Sequence, residues 1–190
     1  MEINAHTQLC CVIGNPVEHS LSPAIHNAAF QKLGLNFVYL AFQVEAIGDA
    51  VKGLRALGNF RGASVTIPHK VAAVPFLDMV EPTARHIGAI NTIVATGGAL
   101  TGYNTDATGA LRALREGAVA LKGRHVILLG SGGAARAIAF ALGAEAGIDR
   151  LTILGIDVRE RIALARDLQS NTGMTVQELP LDEGALRTML

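Results

Sequence analysis

The 190-residue sequence contains no tryptophan, two tyrosines, six phenylalanines and two cysteines. With so few aromatic side chains, the core must be built from Ala, Val, Ile and Leu, which suits parallel sheets covered by helices. Cys10 and Cys11 are adjacent in an apolar run, so they provide neither a disulfide framework nor the spacing of a zinc site. We interpret both as small buried side chains in a reducing compartment.

Net charge is lacking as well, because 16 lysines and arginines balance 16 aspartates and glutamates. Without a basic stripe, nucleic acid is not expected as a partner. The polar N-terminus has no leader pattern, and the apolar windows fall far short of the roughly 20 residues that span a bilayer. We therefore expect a cytoplasmic protein that binds a small molecule rather than a membrane, with a homodimer left open. No pair of histidines or carboxylates has the spacing of a metal site.

Half of the residues in the sequence are apolar, and many of its 21 glycines are grouped in short motifs. Short β-rich runs alternate with longer helical patterns, which predicts an α/β fold with mainly parallel sheets. The alternation restarts after a boundary region near residues 104–123. We therefore predict two domains, residues 1–104 and 105–190.

A glycine-rich turn in the second half lies between a predicted strand and a predicted helix. It consists of Gly130, Ser131, Gly132, Gly133 and Ala134. Such a turn tolerates positive φ angles and leaves room for a pyrophosphate at the helix N-terminus. The pattern favours nucleotide binding, and the alternative is a plain tight connection between strand and helix.

The next predicted strand is followed by Asp157, Arg159 and Arg161. A carboxylate at Asp157 could bind ribose hydroxyls, which favours NAD, whereas Arg159 or Arg161 could meet a 2′-phosphate, which favours NADP. The alternatives are that Asp157 caps a helix and that the arginines form a solvated helix face.

Polar residues in the first half follow apolar strands. Ser20 and Ser22 are two apart in a segment that we predict to be extended, so that both hydroxyls face one side and could bind a carboxylate or a polyol. We also expect Ser22 to cap a helix over residues 23–33, and Ser20 could be a cap or a ligand.

Lys70 follows a strand and lies near the start of a predicted helix. A helix N-terminus and partial burial both disfavour its charged form, which would suit proton transfer, although a lone lysine is more often a surface residue. We expect its neighbour His69 to be partly exposed.

Asn91 and Asp106 follow in two further polar stretches. The Asn91 amide can both donate and accept hydrogen bonds with a pair of sugar-like hydroxyls. Asp106 lies in the first turn of a helix, where the helix dipole keeps it ionised, and its alternative role is to support a cap at Asn104 or Thr105.

Taken in order, these motifs over about residues 9–157 resemble the shikimate dehydrogenase family. The resemblance implies an N-terminal α/β substrate domain followed by a Rossmann-like dinucleotide-binding domain, which is expected to be incomplete at its C-terminus. By motif, it implies a catalytic pair, Lys70 and Asp106, that also contacts the substrate. Further substrate contacts are implied at Ser20, Ser22, Thr66 and Asn91, and cofactor contacts at residues 130–134. Asp157 and Arg159 are added as cofactor candidates from their place after the second strand of this half, not from the family motif.

The family's activity is the NADP-dependent reversible reduction of 3-dehydroshikimate to shikimate, an oxidoreductase step of chorismate and aromatic amino-acid biosynthesis. The NADP-using members carry Asn-Arg-Thr where this chain has Gly155, Ile156 and Asp157. NADP is therefore the expected cofactor, with NAD left open. The alternatives are a quinate/shikimate dehydrogenase that uses NAD and a truncated, non-catalytic homologue that binds shikimate.

Overall fold

The computed structural model describes residues 2–189, and the chain divides into two compact units, Met1–Asn104 and Thr105–Leu190. Each unit has its own sheet with helices packed against it. Among the described residues, no helix has both the length and the apolar character needed to cross a membrane.

The first unit is built on a six-stranded sheet with the strand order β2-β1-β3-β5-β6-β4. Its elements in chain order are β1 Gln8–Gly14, α1 Ser22–Lys32, β2 Phe37–Gln43, α2 Ile47–Ala56, β3 Phe60–Val65, α3 His69–Ala72, a 3-10 turn Val74–Phe76, β4 Met79–Val80, α4 Pro82–Ile87, β5 Thr92–Thr96 and β6 Ala99–Tyr103.

The sheet of the first unit is mixed, which departs from the expectation of mainly parallel strands. β1 runs parallel to β2 and β3, whereas β5 is antiparallel to both β3 and β6. The reason lies in the turn between β5 and β6, where Gly97 and Gly98 have φ angles of +59° and +85°. Two positive φ angles in a two-residue loop form a hairpin, which joins antiparallel strands.

The core of the first unit lies between one face of the sheet and α2. α2 is amphipathic, since Ile47, Val51 and Leu54 are its buried residues. They belong to one cluster with alternate residues of the central strands: Cys11, Ile13, Ala63, Val65 and Ile93. Cys11 is buried, as the sequence interpretation expects, whereas Cys10 is only half-buried, and both cysteines are free thiols.

The start of α1 differs from the prediction. The helix begins at Ser22, with Leu21 as its N-cap in a helical rather than extended conformation. Ser22 is therefore the first helical residue rather than the cap, and Pro23 occupies the second helical position. Instead, the Ser20 hydroxyl oxygen accepts a hydrogen bond from the Ser22 amide at 3.3 Å.

The second unit contains a three-stranded parallel sheet with the order β7-β8-β9. Its elements are α5 Asp106–Glu116, β7 His125–Leu129, α6 Gly133–Glu145, β8 Arg150–Gly155, α7 Val158–Thr172, β9 Thr175–Pro180 and α8 Glu183–Met189. Strands that alternate with helices in a parallel sheet confirm the α/β class and the Rossmann-like pattern predicted for this half. Alanines at four buried positions of α6 allow close packing: Ala135, Ala137, Ala139 and Ala141.

Candidate functional site

The polar segments singled out in the first half of the sequence meet at one end of the first sheet. β1 and β3 are parallel and both end there, and the antiparallel β5 begins there. The Thr66 amide donates to the Ile13 carbonyl at 2.9 Å, and the Val65 amide donates to the Asn91 carbonyl at 2.8 Å. Three segments that are far apart in sequence are thus held side by side.

Lys70 is the second residue of the short helix α3 and is half-buried. Its carbonyl oxygen accepts a hydrogen bond from the Ile90 amide at 2.8 Å, and the next residue, Asn91, donates its amide to the Tyr103 carbonyl at 2.9 Å. The backbones that carry Lys70 and Asn91 are therefore fixed to the same edge of the sheet, and Thr66 lies four residues before Lys70 on the connecting segment.

His69 is buried, with 5% of its surface exposed, so the expectation of a partly exposed histidine is wrong. Its Nε2 atom lies 2.6 Å from the carbonyl oxygen of Val44. Since a carbonyl can only accept, Nε2 carries the hydrogen and donates it. This bond anchors the first residue of α3 and thereby positions Lys70. The bond joins residues 25 apart in sequence, so no local pattern could have revealed it.

The loop after β1 carries Ser20 and leads into Ser22, the first residue of α1, and both serines are half-buried. Its first residue is tied to the segment after β3, because the Asn15 amide donates to the Ile67 carbonyl at 2.8 Å. A Cβ atom at Gly14 would overlap the Thr66 methyl group and lie 2.9 Å from the Ile67 carbonyl oxygen. The loop therefore packs directly against the segment that bears Thr66, and only glycine permits so close an approach.

Asn104 lies at the same edge of the sheet, directly after β6. Its side chain is buried and donates from Nδ2 to the Ala89 carbonyl at 2.9 Å. Asp106 follows two residues later as the first residue of α5, where Thr105 is the N-cap and makes no side-chain capping bond. Lys70 belongs to the first unit and Asp106 to the second, and their action as a pair stays a prediction.

The glycine-rich turn of the second unit connects β7 to α6. Gly130 has a φ angle of +108°, which disfavours any other residue, and its amide donates to the Leu154 carbonyl of β8 at 2.7 Å. A Cβ atom added at Gly130 or Gly132 would meet no atom within 4 Å. The missing side chains thus leave open space beside the N-terminus of α6, and this geometry fits the diphosphate of a dinucleotide.

Ser131 is buried within this turn, unlike its glycine neighbours. Its hydroxyl donates to Oε2 of Glu160 at 3.3 Å. A Cβ atom at Gly155 would lie 2.9 Å from the Ser131 hydroxyl oxygen, so the turn packs closely on the end of β8. The turn and the start of α7 are therefore held against each other.

The residues after β8 take different roles. Asp157 is the N-cap of α7 and accepts a hydrogen bond from the Glu160 amide at 2.9 Å, which confirms the capping interpretation. The Arg161 guanidinium is buried, donates to the Gly155 carbonyl at 2.9 Å and pairs with Glu178, whereas Arg159 is exposed. Sequence reasoning missed Glu160, although an acidic residue three positions after a capping aspartate is a recognised helix-start pattern.

Comparisons with known proteins identify the family of this chain. The family model described as the shikimate dehydrogenase substrate binding domain matches residues 12–93. A shikimate dehydrogenase (NADP(+)) of Moorella thermoacetica is 52% identical over 155 residues, which cover 80% of this chain and 52% of the relative. The chain thus spans about half of the length of that relative, and another, from Desulforamulus reducens, is covered to 62%.

Solved structures show the same likeness. The shikimate dehydrogenase of Aquifex aeolicus superimposes with a TM-score of 0.84 at 38% identity, over 98% of this chain and 68% of that one. The shikimate 5-dehydrogenase of Listeria monocytogenes, solved with shikimate and NAD, gives a TM-score of 0.83 at 38% identity, over 99% of this chain and 66% of that one. By sequence and by fold, this chain belongs to the shikimate dehydrogenase family.

Proposed function

We propose that this chain catalyses the NADP-dependent, reversible reduction of 3-dehydroshikimate to shikimate, a step toward chorismate and the aromatic amino acids. The observation that carries the proposal is the meeting of Lys70, Thr66 and Asn91 at one edge of the first sheet. The names of curated relatives support the activity and the cofactor. The two free cysteines are typical of a reducing compartment, which supports a cytoplasmic location.

Substrate recognition is proposed to rest on hydroxyl and amide groups of the first unit. Ser20, Ser22, Thr66 and Asn91 offer donors and acceptors that suit the carboxylate and the ring hydroxyls of shikimate. All four residues are half-buried and lie in segments joined by backbone hydrogen bonds. Such a preorganised set orients a polyol without large rearrangement. The Listeria relative binds shikimate, which supports this choice of ligand.

Lys70 is proposed to move the proton of the reacting hydroxyl. When shikimate is oxidised, the O–H proton passes to the Lys70 amine, the C–O single bond becomes a carbonyl, and the ring hydrogen leaves with its electron pair. A bound nicotinamide supplies the acceptor for that hydride, or its donor in the reverse direction. Asp106 is proposed to hold the same hydroxyl in place and, as a neighbouring carboxylate, to tune Lys70 for this proton transfer.

The cofactor is proposed to bind through the turn formed by Gly130, Ser131, Gly132, Gly133 and Ala134. The space above Gly130 and Gly132 would take the diphosphate, and the N-terminus of the thirteen-residue helix α6 would face its negative charge. Asp157 and Arg159 are proposed to lie near the adenosine ribose, because this part of a dinucleotide approaches the end of the second strand of a Rossmann unit.

Replacement of Lys70 by alanine tests the proposal. We expect the rate of shikimate-dependent NADP reduction to fall by roughly 100-fold or more, which is typical for the loss of a general acid–base residue. Shikimate binding, measured by calorimetry, should change little. Lys52→Ala is the matched control, since Lys52 is an exposed lysine of the same unit and should keep full activity.

Turnover by Lys70→Ala within a few-fold of the unaltered chain would remove Lys70 from the mechanism. If the unaltered chain binds shikimate but shows no turnover, the non-catalytic alternative replaces the proposal. Initial rates measured with both substrates, shikimate and quinate, and with both cofactors, NADP and NAD, distinguish the proposed function from the NAD-using quinate/shikimate dehydrogenase.

A further inference from the structure

Two carboxylates stand at the end of β8, where the adenosine ribose of a dinucleotide approaches a Rossmann-like unit. Asp157 caps α7, and Glu160 lies in the first turn of the same helix. Glu160 is held toward the glycine-rich turn, because its Oε2 atom accepts the hydrogen bond from Ser131 at 3.3 Å. Both side chains are exposed, so a ligand over the turn would meet their negative charges.

The positive charges of this segment do not balance these carboxylates. Arg161 is enclosed, since its guanidinium pairs with Glu178 and donates to the Gly155 carbonyl. Arg159 is the exposed arginine of segment 156–161, and Ile156, directly after β8, leaves 84% of its surface exposed and offers no charge. A 2′-phosphate would therefore face two carboxylates and one arginine, whereas a free 2′-hydroxyl could donate a hydrogen bond to a carboxylate.

We propose that Asp157 and Glu160 set the cofactor selectivity of this chain, such that NAD(H) binds at least as tightly as NADP(H). This inference rests on the proposed function and refines its cofactor. The chain then binds both dinucleotides, whereas a site with a basic residue that binds the 2′-phosphate would select NADP(H). The shikimate 5-dehydrogenase of Listeria monocytogenes, solved with NAD, shows that a member of the family accommodates the dinucleotide without this phosphate.

Calorimetric titration with two nucleotide fragments isolates the contribution of the 2′-phosphate. The fragments 2′,5′-ADP and 5′-AMP differ only by that group, and NADP⁺ and NAD⁺ provide the same comparison for the whole cofactor. The variants Asp157→Asn and Glu160→Gln remove one charge each, while asparagine keeps the helix cap and glutamine keeps an acceptor for Ser131. Glu145→Gln, at the opposite end of α6, is the matched control for the loss of one negative charge.

For the unaltered chain we expect 2′,5′-ADP to bind no more tightly than 5′-AMP. Each variant should raise the affinity for 2′,5′-ADP by about fivefold at low salt and leave that for 5′-AMP nearly unchanged, because exposed charges a few ångströms apart interact moderately in water. Glu145→Gln should change neither affinity.

A preference of the unaltered chain for 2′,5′-ADP of tenfold or more would overturn the inference, as would variants that leave the ratio of the two affinities unchanged. In either case the proposed reduction with NADP would still stand. If neither fragment nor either dinucleotide binds, the glycine-rich turn is not a cofactor site, and the proposed function fails together with the inference.

Discussion

Replacement of Gly14 by alanine should disturb both the stability of the first unit and its candidate substrate residues. Gly14 is the last residue of β1, and its φ angle is not in the left-handed region, so alanine can adopt the same backbone conformation. The cost is therefore steric. A new Cβ atom would overlap the Thr66 methyl group, lie 2.9 Å from the Ile67 carbonyl oxygen and approach Val17 Cγ1 to 3.1 Å.

The Thr66 side chain can rotate away, but the Ile67 carbonyl can move only with its backbone. That carbonyl accepts the Asn15 amide at 2.8 Å, and the adjacent Thr66 amide donates to Ile13 at 2.9 Å, so both bonds must stretch. Insertion of a methyl group into a packed site costs about 1–3 kcal/mol. We expect the free energy of unfolding of the first unit to fall by about 2 kcal/mol and shikimate affinity to fall with it.

Urea unfolding followed by tyrosine fluorescence measures this effect. The chain has two tyrosines, Tyr39 and Tyr103, and both lie in the first unit. With a typical slope of about 2 kcal/mol per molar urea, the midpoint should fall by about 1 M. Gly53→Ala is the control, because Gly53 lies in α2 with no atom within 4 Å of the added Cβ. It should raise stability by about 0.5–1 kcal/mol.

An unchanged midpoint for Gly14→Ala would refute the close approach of the two loops at this edge. An equal loss of stability in both variants would show that alanine substitution, rather than the contact with Ile67, causes the effect.

Two further predictions concern titratable groups of the first unit. Burial raises the pKa of Cys11 to about 12, so this thiol should react slowly with a disulfide reagent near pH 8 in the folded chain and rapidly after unfolding. Because the unfolded thiol ionises from about pH 9, its contribution to stability should be complete below that pH and decline as the pH rises toward 12. The Leu100 amide, and after it Arg55, lower the pKa of Asp78, so this carboxylate should stabilise the fold at neutral pH and lose that effect as the pH falls through its lowered pKa. Melting temperatures of Asp78→Asn should therefore depend less on acidic pH than those of the unaltered chain, and identical profiles would contradict this role.

Local signals predicted much of the fold. The strand and the helix predicted on either side of the turn at residues 130–134 are observed as β7 and α6, and the alternation in the second half also predicted the observed elements. These features depend on residues within one turn or strand, where side-chain periodicity and glycine conformations are decisive. The mixed order of the first sheet depends on pairing between distant strands, and local periodicity does not specify it.

The candidate site shows the same division. Glycines and polar residues after strands are visible in the sequence, so Lys70, Thr66, Asn91 and the turn at residues 130–134 could be singled out. Partners that are distant in sequence could not be predicted. The hydrogen bond between His69 and Val44 and the ion pair between Arg161 and Glu178 each join different elements. The sequence makes Arg161 a candidate for a phosphate contact, and its ion pair with Glu178 within the fold assigns it a structural role instead.

By itself, the sequence determined which residue types stand at the ends of the strands, and with them the family and the chemistry that those groups can perform. Tertiary structure decided which of these residues share an edge of a sheet, which form hydrogen bonds within the fold, and which charged side chains stay exposed beside the glycine-rich turn. The reason is physical: the character of a side chain is local, whereas its burial and its partners depend on segments brought together only by folding.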